Sequence, residues 1–184
     1  MRFYMIIIGI DPGYAITGYG IIDYSGNRFR VLDYGTITTR AHVPFEQRLL
    51  TIYSEIESVL TRFRPEVMAI EELFFSKNAT TAIGAAQARG VLILSAAKAG
   101  IPVFEYTPMQ VKMAVTGYGR ADKNQVSQMV KTILCLERVP KKDDTSDALA
   151  IAICQAHSGL ISSNKAVSGY QYGRYGKDNV NKYR

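Results

Sequence analysis

Short apolar segments, rich in β-branched residues, alternate along the chain with turn residues and with longer helical patterns. The first three segments follow one another closely, with a hairpin turn at Ser25-Gly26-Asn27. Each of the later two follows a stretch with helical spacing, as in parallel strands joined by crossovers. We therefore predict five strands, at residues 3–10, 18–24, 29–38, 66–71 and 102–106.

Between and after these strands, apolar residues recur at three- and four-residue spacing, which predicts amphipathic helices. The predicted helices are residues 45–63, residues 79–99, a helix starting at Pro108, a helix ending near Leu134, and residues 144–157. Asp122 and Gln125 have the spacing of a capping box for the fourth of these. The order of elements predicts an α/β fold, a five-stranded mixed sheet with an antiparallel meander, two further parallel strands and helices on both faces.

Composition divides the chain into two parts. Residues 1–158 have the apolar patterns of one folded domain, whereas residues 159–184 are rich in Gly, Ser, Asn, Lys and Tyr without any period. This tail has five basic residues and one acidic residue within a chain of net charge +6, and we expect it to be disordered in isolation. The positive charge favours a polyanionic partner without identifying one.

The first apolar run is too short to span a membrane, and no signal peptide pattern is present. These features predict a soluble cytoplasmic protein with no membrane partner. Cys135 and Cys154 both lie in apolar helical patterns, so we expect buried reduced thiols rather than a zinc site.

Four acidic residues stand at the edges of apolar segments. Asp11 ends the first strand, Glu71 ends the fourth, and Asp144 and Asp147 begin the last helix. Each has an ordinary explanation alone, because Asp-Pro-Gly forms turns and acids stabilise helix starts. A buried charge is costly unless it is paired, solvated or bound to a cation. As a set, these oxygen ligands suit Mg²⁺ or Mn²⁺, which activate water and stabilise charge on a phosphodiester.

Neighbouring acids complicate the choice at two places. Side chains alternate along a strand, so Glu71 and Glu72 face opposite sides, and Glu71 is preferred because it completes the apolar run. Asp144 and Asp147 share one helix face. Asp143 also lies on that face, four residues before Asp147, so spacing alone leaves Asp143 and Asp144 as alternatives.

Several blocks of residues together resemble a known family. They are GIDPG followed by TGYG, AIEELFFSKN, QARG, PVFEYTPMQVK, and DALAIAI after an acidic pair. Over roughly residues 5–157 the chain is similar to the RuvC family of bacterial Holliday junction resolvases, in the ribonuclease H-like superfamily. The block at 70–78 and the last block are specific in combination, whereas GIDPG alone is not.

The resemblance implies a ribonuclease H-like core, a homodimer, and paired nicks across a four-way DNA junction. It implies two Mg²⁺ ions per active site, with Mn²⁺ as a substitute, and the branch-migration proteins RuvA and RuvB as partners. The residues it assigns to catalysis and metal binding are Asp11, Glu71, Asp144 and Asp147. The family varies at the position of Asp144, which leaves the choice between Asp143 and Asp144 open.

Aromatic and basic residues near these acids are candidates for DNA binding. By resemblance, Phe74 matches the aromatic residue that wedges the junction, and Lys112 and Lys123 match basic positions near the DNA backbone. Core packing for the Phe and a solvated surface for the bases are the ordinary alternatives. The predicted DNA-binding residues are Phe74, Lys77, Lys112, Arg120 and Lys123.

The helix predicted at 79–99 is unusually rich in Ala and Gly. Small residues permit close approach of another backbone, either the sheet of the same chain or a partner subunit. Arg89 on this helix could equally face a partner. Sequence alone favours neither arrangement.

Three other functions compete with a junction-cleaving nuclease. A phosphotransferase of the actin and sugar-kinase fold also starts with a strand and an Asp-Gly loop, but it needs two such domains. A junction-binding module without catalysis gains nothing from clustered negative charge. A nuclease of the same fold that cuts RNA–DNA hybrids is separated only by the family resemblance.

Overall fold

The computed structural model of the chain describes residues 4–73 and 79–158. Each predicted strand and helix is present, with ends that differ by at most a few residues. The strands are β1 (Tyr4–Asp11), β2 (Ile16–Ser25), β3 (Arg28–Thr38), β4 (Val67–Glu71) and β5 (Val103–Tyr106). The helices are α1 (Phe45–Phe63), α2 (Ala79–Lys98), α3 (Pro108–Thr116), α4 (Lys123–Ile133) and α5 (Asp143–Ser158). None of these helices is long and apolar enough to cross a membrane.

The five strands form one mixed sheet in the order β3-β2-β1-β4-β5. β1, β2 and β3 pair antiparallel, and β4 and β5 extend the sheet parallel to β1. The predicted α/β fold with a five-stranded mixed sheet is therefore confirmed. Because β1 and β4 are parallel neighbours, their carboxyl ends meet at the same edge of the sheet.

The turn between β2 and β3 is tighter than predicted. Ser25 belongs to β2, and only Gly26 and Asn27 connect the strands, with φ of 53° and 64°. Two-residue hairpins of this kind need positive φ at both positions, which Gly and Asn adopt most readily.

The two faces of the sheet are covered by different helices. On one face, α3, α4 and α5 pack on a core that includes Ile7, Val67 and Ala69. On the other, α1 and α2 pack on a core that includes Ile8 and Ile70. The alternation along β1 and β4 thus sends successive side chains to opposite layers.

Local signals in the sequence account for the helix starts on the α5 face. At α4 the predicted capping box is present, since Gln125 N donates to Asp122 Oδ1 and Asp122 N donates to Gln125 Oε1, both at 2.9 Å.

The two cysteines, both predicted to be buried, differ in the structure. The prediction for Cys154 is correct, because the thiol is buried, but the prediction for Cys135 is wrong. Cys135 is exposed because it follows the end of α4, where the chain turns away with a φ of 51°.

Candidate active site

The carboxyl ends of β1 and β4 bring two acids to one side of the sheet. Ile10 and Ile70 are partners in the register between these strands, and both pack into the α1 and α2 core. The next residue on each strand, Asp11 or Glu71, therefore turns to the opposite face, towards α5. Glu71 rather than Glu72 shares the face of Asp11, as the alternation predicts.

Glycines in β1 and β2 let α5 lie directly on the sheet. A Cβ atom at Gly9 would lie 2.1 Å from the carbonyl oxygen of Ala148, and one at Gly20 would lie 2.6 Å from Leu149 Cδ2. Both distances are shorter than real carbon contacts allow. Any side chain at these positions would push the helix outwards. Glycine inside a strand is a sequence signal for such close approach, although the sequence predictions did not use it.

A third glycine places the start of α5 beside Asp11. Gly18 is the register partner of Asp11, and a Cβ there would lie 2.0 Å from the carbonyl oxygen of Asp144 and 3.1 Å from its Cβ. The backbone of Asp144 therefore packs directly against Gly18, the strand partner of Asp11. Asp143, one position earlier, is exposed. The geometry therefore favours Asp144 over Asp143 as the neighbour of Asp11.

Burial and mutual repulsion make the charge on Asp11 unfavourable in the metal-free protein. Burial, and after it the carboxylates of Glu71, Asp147 and Asp144 in that order of effect, together raise the pKa of Asp11 from 3.8 to about 7. Lys123 acts in the opposite direction. The four acids predicted from the sequence therefore share one electrostatic environment.

Glu71 and Asp147 show the same pattern. Burial and, to a smaller extent, the carboxylate of Asp147 raise the pKa of Glu71 from 4.5 to about 7, against the opposing effects of Lys123 and Lys112. Burial also raises the pKa of Asp147, against the effect of Lys123. Groups with strongly perturbed pKa values in one cluster are typical of functional sites.

Lys123, the first residue of α4, forms ion pairs with two acids in the first turns of α5. Its Nζ lies 3.4 Å from Asp143 Oδ2 and 3.4 Å from Asp147 Oδ2. Burial alone would lower the pKa of Lys123. The carboxylates of Asp147 and Asp143 outweigh this effect and raise the pKa above its ordinary value. The ammonium remains partly exposed, with 66% of the side chain accessible, so it offsets only part of the negative charge.

The chemistry of the donor set fits a hard divalent cation. Its donors are all carboxylate oxygens, which Mg²⁺, Mn²⁺ and Ca²⁺ prefer, and the partly buried charges on Asp11 and Glu71 lack full compensation. Across residues 4–73 and 79–158, however, no three His, Cys, Asp or Glu side chains are grouped closely enough to ligate one ion. Uncompensated carboxylates repel one another, so a looser arrangement is expected before a cation binds.

The segment that follows Asp11 is held by a buried arginine. Arg48 of α1 lies with its guanidinium 3.6 Å from the centre of the Tyr14 ring. Its Nε donates to Thr39 Oγ1 at 2.9 Å and its Nη2 donates to the carbonyl oxygen of Tyr14 at 3.3 Å. Such contacts restrain the turn after β1 and, through it, the position of Asp11.

Comparison with known proteins identifies the family. The family model for the crossover junction endodeoxyribonuclease RuvC matches residues 7–155. The chain belongs to the RuvC family. A family protein of Ruminiclostridium cellulolyticum is 59% identical over 154 residues, covering 84% of this chain and 93% of its own length. One from Clostridioides difficile is 52% identical over 168 residues, covering 91% of this chain and 99% of its own.

Solved structures agree with this assignment. A Thermus thermophilus RuvC in complex with a Holliday junction substrate has a TM-score of 0.79 and 38% identity, covering 83% of this chain and 93% of its own. A yeast mitochondrial Holliday junction resolvase, Ydc2, covers 82% of this chain and 77% of its own with a TM-score of 0.60 and 15% identity, which shows the shared fold only.

Of the five residues predicted to bind DNA, two are outside the described residues, and the other three lie at different distances from the acidic cluster. Phe74 and Lys77 lie outside the described residues. Lys112 is partly buried on α3 and acts electrostatically on Glu71, and Lys123 contacts the acidic cluster. Arg120 is exposed on the Gly-rich loop before α4 and takes part in no ion pair among the described residues. Lys112 and Lys123 thus lie beside the acids, whereas no ion pair joins Arg120 to them within residues 4–73 and 79–158.

Proposed function

We propose that this chain resolves four-way (Holliday) DNA junctions by paired, symmetric, metal-dependent nicks during recombination and repair. The observation that supports this best is the meeting of β1, β4 and α5 at one edge of the sheet, in a chain of the RuvC family. That edge presents Asp11, Glu71, Asp144 and Asp147. The Thermus relative, whose structure contains a Holliday junction substrate, supports the choice of substrate.

We propose that these four carboxylates hold two divalent cations, Mg²⁺ in the cell with Mn²⁺ as a substitute. Bound cations of this kind activate water and stabilise the charge that develops on a cleaved phosphodiester. Asp11 and Glu71 sit on strand ends, so the sheet fixes their separation and direction. The first turn of α5, seated on Gly18, supplies the remaining ligands at a fixed height above the sheet.

Basic and aromatic side chains would then position the DNA. Lys123 is close to two acids and also open to solvent, so it is suited to contact a phosphate next to the cluster. Lys112 lies on the Glu71 side, and Arg120 extends the positive surface along the loop. Phe74 follows Glu71 closely in sequence and keeps the role that the family resemblance implies, a wedge at the junction centre. Lys77, three residues later, remains a candidate for DNA binding.

A homodimer would supply the second nick, because one active site cuts one strand and a junction has two equivalent strands. We propose the outer face of α2 as its interface. This α2 outer stripe consists of exposed residues at alternating four- and three-residue spacing, namely Ile83, Gln87, Gly90, Leu94 and Ala97. Ile83 and Leu94 are large apolar side chains that are 58% and 63% exposed, and they lie on one line along the helix surface. Spacing of this kind suits helix-to-helix packing.

The remaining expectations stay proposals as well. We propose residues 1–158 as the nuclease domain and RuvA and RuvB as partners. Residues 159–184, the predicted basic tail, lie outside the described residues. Cleavage of chromosomal DNA would place the protein in the cytoplasm.

A comparison of substrates tests the proposed function. The purified protein is incubated with a four-way junction, a linear duplex of the same sequence and an RNA–DNA hybrid, each with Mg²⁺ and with EDTA. We expect symmetric paired nicks in the junction only, and only with Mg²⁺. Preferential cutting of the hybrid would favour the alternative nuclease of the same fold, and junction binding without cleavage would favour a binding module.

A further inference from the structure

Arg89 on α2 forms an ion pair that reaches the strand end carrying Glu71. Its Nη2 lies 2.8 Å from Glu105 Oε2 on β5, and its Nε donates to the carbonyl oxygen of Glu71 at 3.3 Å. Both side chains of the ion pair are largely buried, with 17% of Arg89 and 13% of Glu105 exposed. Arg89 therefore faces inwards, towards the sheet, and is not a free surface charge.

The contact falls where the strand ladder ends. The register between β1 and β4 stops at Ile10 and Ile70, so Glu71 lies one residue beyond its last β1 partner. On the β5 side, Glu71 is still paired with Tyr106. Arg89 thus supplies a side-chain hydrogen bond to the main chain of Glu71 at the point where support from β1 ends.

Glu71 is approached by different groups on the two faces of the sheet. The Glu71 side chain points to the α5 face, with the other carboxylates. Arg89 approaches from the opposite face, where α2 packs, and Glu105 lies in register with Ile70 on the neighbouring strand. A guanidinium forms two directed bonds at once because its donors are fixed in one plane. The pair is therefore a brace between α2, β4 and β5 behind the acidic cluster.

We propose that Arg89 is a positioning residue for the active site: by joining Glu105 to the main chain of Glu71, it fixes the direction of the Glu71 carboxylate. The proposal rests on the proposed function in its choice of site, but not in its test of cation binding. Groups that orient a metal ligand without touching the metal typically change metal affinity or activity about 10- to 100-fold when they are removed.

The test uses thermal stabilisation by Mg²⁺ or Mn²⁺ in the absence of DNA, together with single-turnover cleavage and junction affinity. We expect Arg89→Met to raise the cation concentration for half-maximal stabilisation about 10-fold and to slow cleavage by a similar factor. Junction affinity should stay within about twofold, because Arg89 approaches Glu71 from the α2 face of the sheet, opposite to the acidic cluster. Arg89→Lys keeps one charge but not two directed bonds, so it should be intermediate.

Matched variants separate positioning from general stability. Arg89→Met leaves Glu105 buried without a partner, so the double variant with Glu105→Gln removes both charges and should regain stability while keeping the weakened cation response. Lys98→Met on the same helix breaks an exposed pair with Glu57 and should change neither cation response nor cleavage.

Unchanged cation dependence in the folded double variant would overturn the proposal and leave Arg89 with a structural role only. If Arg89→Met fails to fold, Glu105→Gln alone still tests the brace through the same cation titration. If the wild-type protein binds the cation but cuts no junction, the proposed function fails while the cation titration still decides the role of Arg89.

Discussion

Replacing Asp11 by Asn should stabilise the metal-free protein while abolishing cleavage. The substitution removes a partly buried negative charge without changing the size of the side chain. In the wild-type chain that charge is opposed by burial and by three neighbouring carboxylates. The metal-free protein therefore folds against a repulsion that a bound cation would relieve, and Asp11→Asn relieves it without the cation.

The size of the effect follows from the pKa of Asp11, which rises from 3.8 to about 7 on folding. One pKa unit corresponds to about 1.4 kcal/mol, and solvent screening and the sharing of protons among coupled carboxylates reduce the total, so we expect about 1–2 kcal/mol. For a domain of this size that is roughly 3–6 °C in melting temperature.

The sign of the pH dependence is also determined. When folding raises the pKa of a carboxyl group, the protonated group contributes to stability. This contribution is fully present at pH values below the pKa of the unfolded state. That contribution is lost as the pH rises through the folded pKa. For Asp11 the loss spans about pH 4 to about pH 7, so the advantage of Asp11→Asn should grow over this range and then level off.

Thermal unfolding followed by circular dichroism in EDTA, at pH 5 and pH 8, measures the effect. Glu55→Gln, at an exposed position of α1, is the matched control and should change neither value. Adding Mg²⁺ at pH 8 should stabilise the wild-type chain more than Asp11→Asn. An Asn variant that is less stable than the wild type in EDTA at pH 8 would refute the reasoning.

Three further predictions concern the seat of α5, the basic residue beside the cluster and the dimer. Gly18→Ala should destabilise the fold by about 1–3 kcal/mol through overpacking and weaken cation binding, since its Cβ meets the Asp144 carbonyl; chemical denaturation and cation titration measure both. Lys123→Ala should weaken junction binding and flatten its salt dependence by about one unit of slope, measured by fluorescence anisotropy at several salt concentrations. Leu94→Glu, in the α2 outer stripe, should convert a dimer of twice 20.4 kDa into a monomer by light scattering.

Each of these has a control or a contradicting result. Gly35→Ala should lower the stability less than Gly18→Ala, because the added Cβ meets only the ring end of Tyr19. Equal losses of stability would indicate that the contact of Gly18 with the start of α5 has no particular importance. An unchanged salt slope in Lys123→Ala would exclude a phosphate contact. A Leu94→Glu variant that remains dimeric would place the interface elsewhere.

Much of the fold was predictable because hydrophobic period and turn residues are local signals. The strands, the helices and the capping box at Asp122 follow from such patterns, and alternation along β4 indicates that Glu71, not Glu72, shares the face of Asp11. The direction of a long side chain is not a local property. Arg89 turns inwards because its partner Glu105 lies on a strand formed sixteen residues later, which spacing along α2 cannot reveal.

The choice between Asp143 and Asp144 shows the same limit. Both lie in the first turn of α5, and helical spacing relates both to Asp147. The preference for Asp144 comes from Gly18, a residue of β2 that contacts the Asp144 backbone and pairs with Asp11. Asp11, Gly18 and Asp144 come together only through the packing of α5 on the sheet. The sequence pattern therefore could not choose between Asp143 and Asp144.

The most direct test of the central claim is cleavage of a four-way junction by three isosteric variants, Asp11→Asn, Glu71→Gln and Asp147→Asn. Each deletes one charge of the cluster at the sheet edge and adds no bulk. Asp143→Asn, at an exposed position with 73% of the side chain accessible, serves as the control. We predict that the three variants bind the junction as the wild type does and fail to cut it with Mg²⁺, whereas Asp143→Asn cuts. Cleavage at the wild-type rate by any of the three would contradict the account.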